Sequence, residues 1–310
     1  MFDFLLKIND KEEPKLSDHL TQICLSDESG FTDDELSLSF VYDASLSLPK
    51  IDDAIALAFG PSKELIEWRS YKITEIEISE SILNIRAYAS AGIAELKIVR
   101  LVHWKITIAA IVHKIAKRAG CDCVVDERFL KDEIKIVQDE SDLSFLHRLA
   151  SKYSAILKIN DKKIVFVSLS YQGLARFKLE LLFPYRWQKR KKVTGVKAFY
   201  WNEEKKRQAH IIVGDDEMLA SLPGSYASLK KAKERASARL MELKRQDEIL
   251  HITIPCSKEF NTAKISSGSE FDVSGYSHFI DGLWFVKRVE HRMSPHQGLE
   301  AEIELLKLGV

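Results

Sequence analysis

The stretch IDGLWFVKRVEHRMS, Ile280 to Ser294, sets a carboxylate, an imidazole and guanidinium groups side by side at Glu290, His291 and Arg292. A carboxylate next to an imidazole is the raw material of general acid and base chemistry. A second stretch, RWQKRKK, puts Arg186, Lys189, Arg190, Lys191 and Lys192 near the rings of Tyr185, Phe199, Tyr200 and Trp201. Clustered cations with aromatic neighbours can follow phosphates and stack bases. Other chemistry is thin. His278, His291 and His296 are close in sequence, but strands and turns at that spacing guarantee no shared metal geometry. The chain has no GxSxG, HExxH or phosphate-loop pattern. Cys121 and Cys123 are too close for an ordinary disulfide, and Cys24 and Cys256 are isolated, so the expectation is reduced, structural thiols. No catalytic residue, cofactor or metal is expected.

The elements that must carry these residues are mostly strands. Residues 1–95 alternate or run apolar over strand lengths, as in ELSLSFVYD (Glu35 to Asp43) and AIALAFG (Ala54 to Gly60), with Asp, Gly and Pro between them. Residues 96–176 change period. Ile108, Ile111, Val112, Ile115, Ala116 and Ala119 share one helical face, with Thr107 placed to cap and Gly120 to stop it. A second helix is predicted over Asp142 to Tyr153, with short strands around it, which makes a small α+β unit. Residues 177–310 return to strands, with one helix from Ser228 to Arg245. Its stripe of Leu229, Ala232, Ala236, Leu240 and Leu243 predicts a face docked on a sheet.

The acid/base reading of Glu290 and His291 is tested by a repeat. YKITEIEIS (Tyr71 to Ser79) aligns without a gap on WFVKRVEHR (Trp284 to Arg292), so that Tyr71 meets Trp284, Ile73 meets Val286 and Ile76 meets Val289. The spacing of two and then three steps out of strict alternation, as a β-bulge does. AIALAFG before the first copy corresponds to EFDVSG (Glu270 to Gly275). LNIRAYA (Leu83 to Ala89) after it corresponds to LEAEIEL (Leu299 to Leu305). His291 falls on Ile78 and Arg292 on Ser79, so the apolar skeleton is kept and the polar set is not. Glu290 and His291 therefore read as solvent-facing strand residues and not as a catalytic pair.

The ordered set of motifs resembles the phage late control protein D family, the baseplate hub of contractile tails. The resemblance rests on SDESGFTDDELSLSFVYD (Ser26 to Asp43) followed by Leu48 and Pro49, on HWKITIAAIVHKIAKRAG (His103 to Gly120), on ESDLSFLHRLASKYSAILKINDKKIVFV (Glu140 to Val167), and on FIDGLWFVKRVEHRMS with GLEAEIEL. It implies a mainly β, α+β architecture of two tail-tube-like barrels, residues 1–95 and 177–310, flanking a middle domain of residues 96–176. It is similar to the hub part of the type VI secretion spike protein. It further implies a homotrimer that adapts a sixfold tube to a threefold spike, with tube and spike proteins as partners and a tape-measure protein as a further candidate. The virion baseplate would be its place, after synthesis in the host cytoplasm.

Bulk composition fits a packed protein: hydrophobic residues make up 45%, against 13 Gly and 7 Pro. Lys plus Arg (46) equals Asp plus Glu (46), so no overall field draws in nucleic acid or an anionic membrane. The basic stretch is thus expected to be a solvated connector, with nucleic-acid binding as the alternative. No apolar run is long enough to insert in a membrane.

Overall fold

The computed structural model describes residues 2–29, 34–61, 65–66, 69–89, 94–131, 133–153, 155–160, 163–168, 175–180, 183–190, 193–245, 247–257, 260–294 and 298–307. The first part of the chain is a run of strands: β1 (Phe2–Ile8), β2 (Lys11–Glu12), one helical turn α1 (Pro14–Asp18), β3 (Leu20–Glu28), β4 (Glu35–Val41), β5 (Ala54–Pro61), β6 (Arg69–Ser79) and β7 (Ile82–Tyr88). β3 and β4 bury every second side chain. Ile23, Leu25, Leu36, Leu38 and Phe40 meet Ile55, Leu57, Tyr71 and Ile73 in one core, as a sheet with one buried face requires.

The middle stretch contains β8 (Val99–Thr107), α2 (Ile108–Ala119), β9 (Asp122–Val125), β10 (Glu133–Ser141), α3 (Asp142–Tyr153), β11 (Ala155–Asn160) and β12 (Lys163–Ser168). α2 begins and ends where its pattern predicts. The Thr107 hydroxyl accepts from the Ala110 N–H at 3.2 Å, and Gly120 takes the left-handed conformation (φ 65°) that closes the last turn. Ser141 Oγ likewise accepts from the Ser144 N–H at the start of α3. The two helices bury Ile111, Val112, Ile115, Phe145, Leu146 and Leu149 against Trp104 and Phe166.

The remaining elements are β13 (Arg176–Leu179), β14 (Tyr185–Lys189), β15 (Gly195–Asn202), β16 (Arg207–Gly214), β17 (Leu219–Tyr226), α4 (Leu229–Arg245), β18 (Glu248–Pro255), β19 (Glu270–Val273), β20 (Gly282–Ser294) and β21 (Gly298–Lys307). α4 docks on a sheet of its own, in the order β16-β15-β17, and shares a core with Val196 and Ala198. Ala232, Ala236 and Leu240 are buried there and Leu243 is half-buried. Leu229 departs from the expected docking face. It is the first residue of the helix and is 47% exposed.

The middle strands form two small sheets, β10-β8 and β11-β12-β9, and the remaining thirteen strands form one sheet whose main path runs β14-β18-β21-β20-β3-β4-β7-β6-β5-β1-β2, with β19 beside β20 and β13 beside β19. Among the described residues the path is open, where the family resemblance implies two barrels. β3 takes its second neighbour, β20, from the other half of the chain, so the two halves join into one sheet. Within that sheet the same antiparallel five-strand ladder occurs twice, β5-β6-β7-β4-β3 and β19-β20-β21-β18-β14, while the strands outside them differ, β1 lying antiparallel to β5 and β13 parallel to β19.

The two ladders agree to the residue. Ile55 lies opposite Tyr71 and Phe271 opposite Trp284. Both long strands bulge at the same place, between Ile73 and Glu75 in β6 and between Val286 and Arg288 in β20. The turn residues before the short strands match too. The N–H groups of Asp52 and Gly268, both at positive φ (74° and 85°), donate to the carbonyls of Ile73 and Val286, each at 2.9 Å. One correction concerns the returning strands. Ile85 faces Ile76 and Ile303 faces Val289, so Leu83 corresponds to Ala301 and not to Leu299. The second hairpin carries two further residue pairs, Met293 with Leu299 and Ser294 with Gly298, before it turns.

Candidate assembly surface

Tyr71, Ile73, Trp284, Val286 and Val289 are buried and Ile76 is half-buried, three in each ladder's core. They hold two bulged strands in matching poses. A bulge adds a residue to one strand and bends it, so the strand segment beyond it turns away from its first neighbour and presents a new edge. In β20 that edge meets β3, with Arg288–Met293 running against Glu28–Ile23. The Ser29 N–H closes the junction on the carbonyl of the bulged Lys287 at 2.8 Å.

Glu290, His291 and Arg292 all lie on this junction. Glu290 accepts from Arg288 and Arg292, each at 2.7 Å, and from the Cys24 thiol at 3.3 Å. Burial works to raise the Glu290 carboxyl, but the Arg292 and Cys24 hydrogen bonds and the two guanidinium charges hold it below the usual range. Burial and the Glu290 charge push the Cys24 thiol up to about 12, so it stays protonated and unreactive. His291 is not on the solvent face that the sequence predicts. It is buried, its Nε2 lies 3.0 Å from the Ile265 carbonyl, and its ring meets Phe59 edge-on at 5.4 Å. Neighbours on one strand point to opposite faces, so Glu290 and His291 cannot act on the same atom.

A third contact pins the middle unit to the same junction. Lys158 on β11 donates to both Asp27 carboxylate oxygens at 2.7 and 2.8 Å, and the Ser267 hydroxyl donates to Asp27 as well. Asp27 is fully buried and Lys158 nearly so. Phe285 adds an apolar contact to Ile156 and Val167. Asp27 and Lys158 each lie in a stretch that carries the resemblance, but they are widely separated in the chain and no local pattern pairs them with each other or with Ser267.

Of the basic stretch, Arg186, Lys189 and Arg190 lie on or just after β14, while Lys191 and Lys192 fall outside the described residues, as does His296. Lys189 is held by Glu248 at 2.7 Å. Trp187 stacks on Phe279 and Tyr185 meets Tyr276 edge-on, so these rings support the strand. Phe199, Tyr200 and Trp201 belong to β15, in the separate α4 unit. A groove of about 1040 Å³ between α3 and α4 gathers other cations, Arg148, Lys152, Arg235 and Arg239. Burial there, with the nearby Arg235 and Arg148 charges, lowers the Lys152 ammonium to about 8. Among the described residues no group of three or more His, Cys, Asp or Glu could hold a metal, and no helix is long and apolar enough to cross a membrane.

No family model matches the chain. Among curated proteins it is 23% identical to the probable baseplate hub protein of Escherichia phage 186, over 97% of this chain and 93% of that one. The chain resembles the phage baseplate hub proteins. Solved structures agree at the level of fold. A tail protein from Neisseria meningitidis superposes with a TM-score of 0.75 at 12% identity, covering 100% of this chain and 97% of the other. A prophage 43 kDa tail protein from Shewanella oneidensis gives 0.71 at 14%, covering 99% and 98%. An E. coli type VI secretion component, described as structurally similar to bacteriophage T4 tail proteins, gives 0.64 at 14%, covering 98% and 77%. Likeness at such identity concerns the fold alone, and it is the hub similarity in sequence that bears on role.

Proposed function

We propose that this chain is the baseplate hub of a contractile phage tail or of a prophage-derived tail, and that three copies form a ring joining a sixfold tube to a threefold spike. The reading is carried by one observation: the chain holds the same five-strand antiparallel ladder twice, with bulges and turn hydrogen bonds in register. A threefold ring of a doubled subunit offers six similar units to a hexameric partner, while its other face stays threefold. Each ladder would act as one tube-like unit. The junction around Asp27, Glu290 and His291 fixes the angle between the two units, a mechanical role that suits its dense ion pairing. Tube and spike proteins are the partners this reading names, with a tape-measure protein as a further one. Cryo-electron microscopy of assembled particles tests it. Three copies about the tail axis are expected next to the spike, and six copies, or none, would overturn it.

A further inference from the structure

The chain already contains one junction between its two ladders, and that junction leaves one edge over at each end. β3 is bonded to β4 on one side and β20 on the other. Its counterpart in the second ladder is β14. Leu36 and Leu250 stand beside the matching residues Ala87 and Leu305, so Leu25 corresponds to Trp187 and Ile23 to Tyr185. Yet β14 pairs only with β18 among the described residues. The counterpart of the β20 edge is the β6 segment 75–79. Beyond Ile73 it meets no strand on its β5 side among the described residues. The exposure of matching residues differs accordingly: Ile78 is 43% exposed and Tyr185 50%, while their equivalents His291 and Ile23 are buried. Long edges of this kind are templates for another chain.

We propose that the β14 edge of one copy pairs antiparallel with the β6 edge of a second copy, repeating between chains the junction each chain makes within itself. This names the contact that would close the ring of the preceding reading, and rests on it. The internal register sets the new one. On one face it places Glu75 opposite Arg190 and Glu77 opposite Gln188, with Arg186 diagonal to Glu77. On the other it lays Ile78 on Trp187. Charge selects the partners. β6 carries Glu75 and Glu77 along this segment, with Glu80 in the turn after it, and β14 with the residue after it carries Arg186, Lys189 and Arg190. The internal junction has the opposite polarity, with Arg288 opposite Glu28. Swapped pairings would set acid against acid, β3 on β6, or base against base, β14 on β20, and like charges directly opposed are unfavourable. The ladders must therefore alternate around the assembly. The basic stretch finds its use here, as one half of a protein interface.

Disulfide trapping on the full-length chain tests the pairing. Directly opposed residues of an antiparallel pair have Cβ atoms roughly 4.5–5.5 Å apart, close enough to link. The double variant Glu77→Cys, Gln188→Cys is oxidised over a range of concentrations, with sedimentation followed in parallel and the wild type reporting background from its four cysteines. We expect covalent multimers that end at one closed species. A mixture of the two single variants should give dimers only. Glu77→Cys with Lys189→Cys, whose side chains fall on opposite faces, should link far less. Glu75→Arg should weaken association by up to roughly fivefold per junction, and adding Arg190→Glu, directly opposite it, should restore it. A chain that remains monomeric and unlinked at high concentration, or that associates without this link, or that links equally in the wrong register, overturns the edge pairing. The ring itself stands or falls separately, on the copy number in the particle map.

Discussion

Asp27 and Lys158 show how a single ion pair can hold three parts of a chain together. The carboxylate comes from β3 and the ammonium from β11, while Ser267, just before β19, supplies a hydroxyl. A buried pair gains little over an apolar replacement, but removing one partner strands the other charge, at a cost of roughly 3–5 kcal/mol. Lys158→Met is therefore expected to lower stability by about that amount in a denaturant titration. The double variant Asp27→Leu, Lys158→Met should recover most of the loss, short of about 1–3 kcal/mol for the Ser267 hydroxyl left without its acceptor. Equal losses in single and double variants would mean that the pair is not what is felt. Little of this was legible. The sequence places Glu290 and His291 on a strand and refuses them a catalytic role by way of the repeat. What it lacks is the second neighbour of that strand, because β3 and β20 lie more than two hundred residues apart and no local period records which edges meet.

At the scale of elements, periodicity was a good guide where a cap or a glycine marked an end. α2 runs from the residue after Thr107 to the residue before Gly120, and α3 spans Asp142–Tyr153 as its stripe predicts. The bulges were legible for a similar reason, since a bulge shifts the apolar period by one and the shift occurs twice. α4 was placed correctly along the chain, but its partner was not, because an apolar stripe says that a helix docks and not on which sheet. Leu240 lies 2.8 Å from where a side chain on Gly214 would begin, and Gly214 itself is at φ 89°, so helix and sheet meet closely there. Leu240→Asp would set a charge in this contact, at a cost of about 3 kcal/mol or more, whereas Lys233→Ser on the exposed face should change stability by no more than roughly 0.5 kcal/mol. Thermal melts and limited proteolysis should show the α4 unit opening in the first variant, with the thirteen-stranded sheet still folded. Equally mild effects would mean that the docking face is wrong.

For the molecule as a whole, the continuity of the sheet leads to a prediction about what can be removed. The second ladder is interrupted between β14 and β18 by the β15–α4 unit, which keeps its own core of Val196, Ala198, Ala232, Ala236 and Leu240. The two ends of that unit are neighbours. Lys189 pairs with Glu248, and the Arg190 N–H donates to the Asp247 carbonyl at 2.7 Å, so β14 and β18 already form a hairpin whose loop is the whole unit. Sequence alone merges this unit with the strands around it, because contiguity in the chain looks like contiguity in space and a separate small core leaves no mark on composition. Replacing residues 191–246 by Asn-Gly should close the hairpin with a two-residue turn whose twist suits antiparallel strands. The contacts given up include those to the middle unit, where Arg235 reaches the Lys152 carbonyl and lies 4.3 Å over the Tyr153 ring. A cation over a ring contributes roughly 0.5–2 kcal/mol, which a large sheet can lose. Circular dichroism of the shortened chain should lose the signal of a seventeen-residue helix and keep a cooperative β-sheet melt. Disulfide trapping through Glu77 and Gln188 should also survive, since both edges lie outside the excised segment. A shortened chain that fails to fold would show that the α4 unit is part of the sheet's support and not an insertion carried on it.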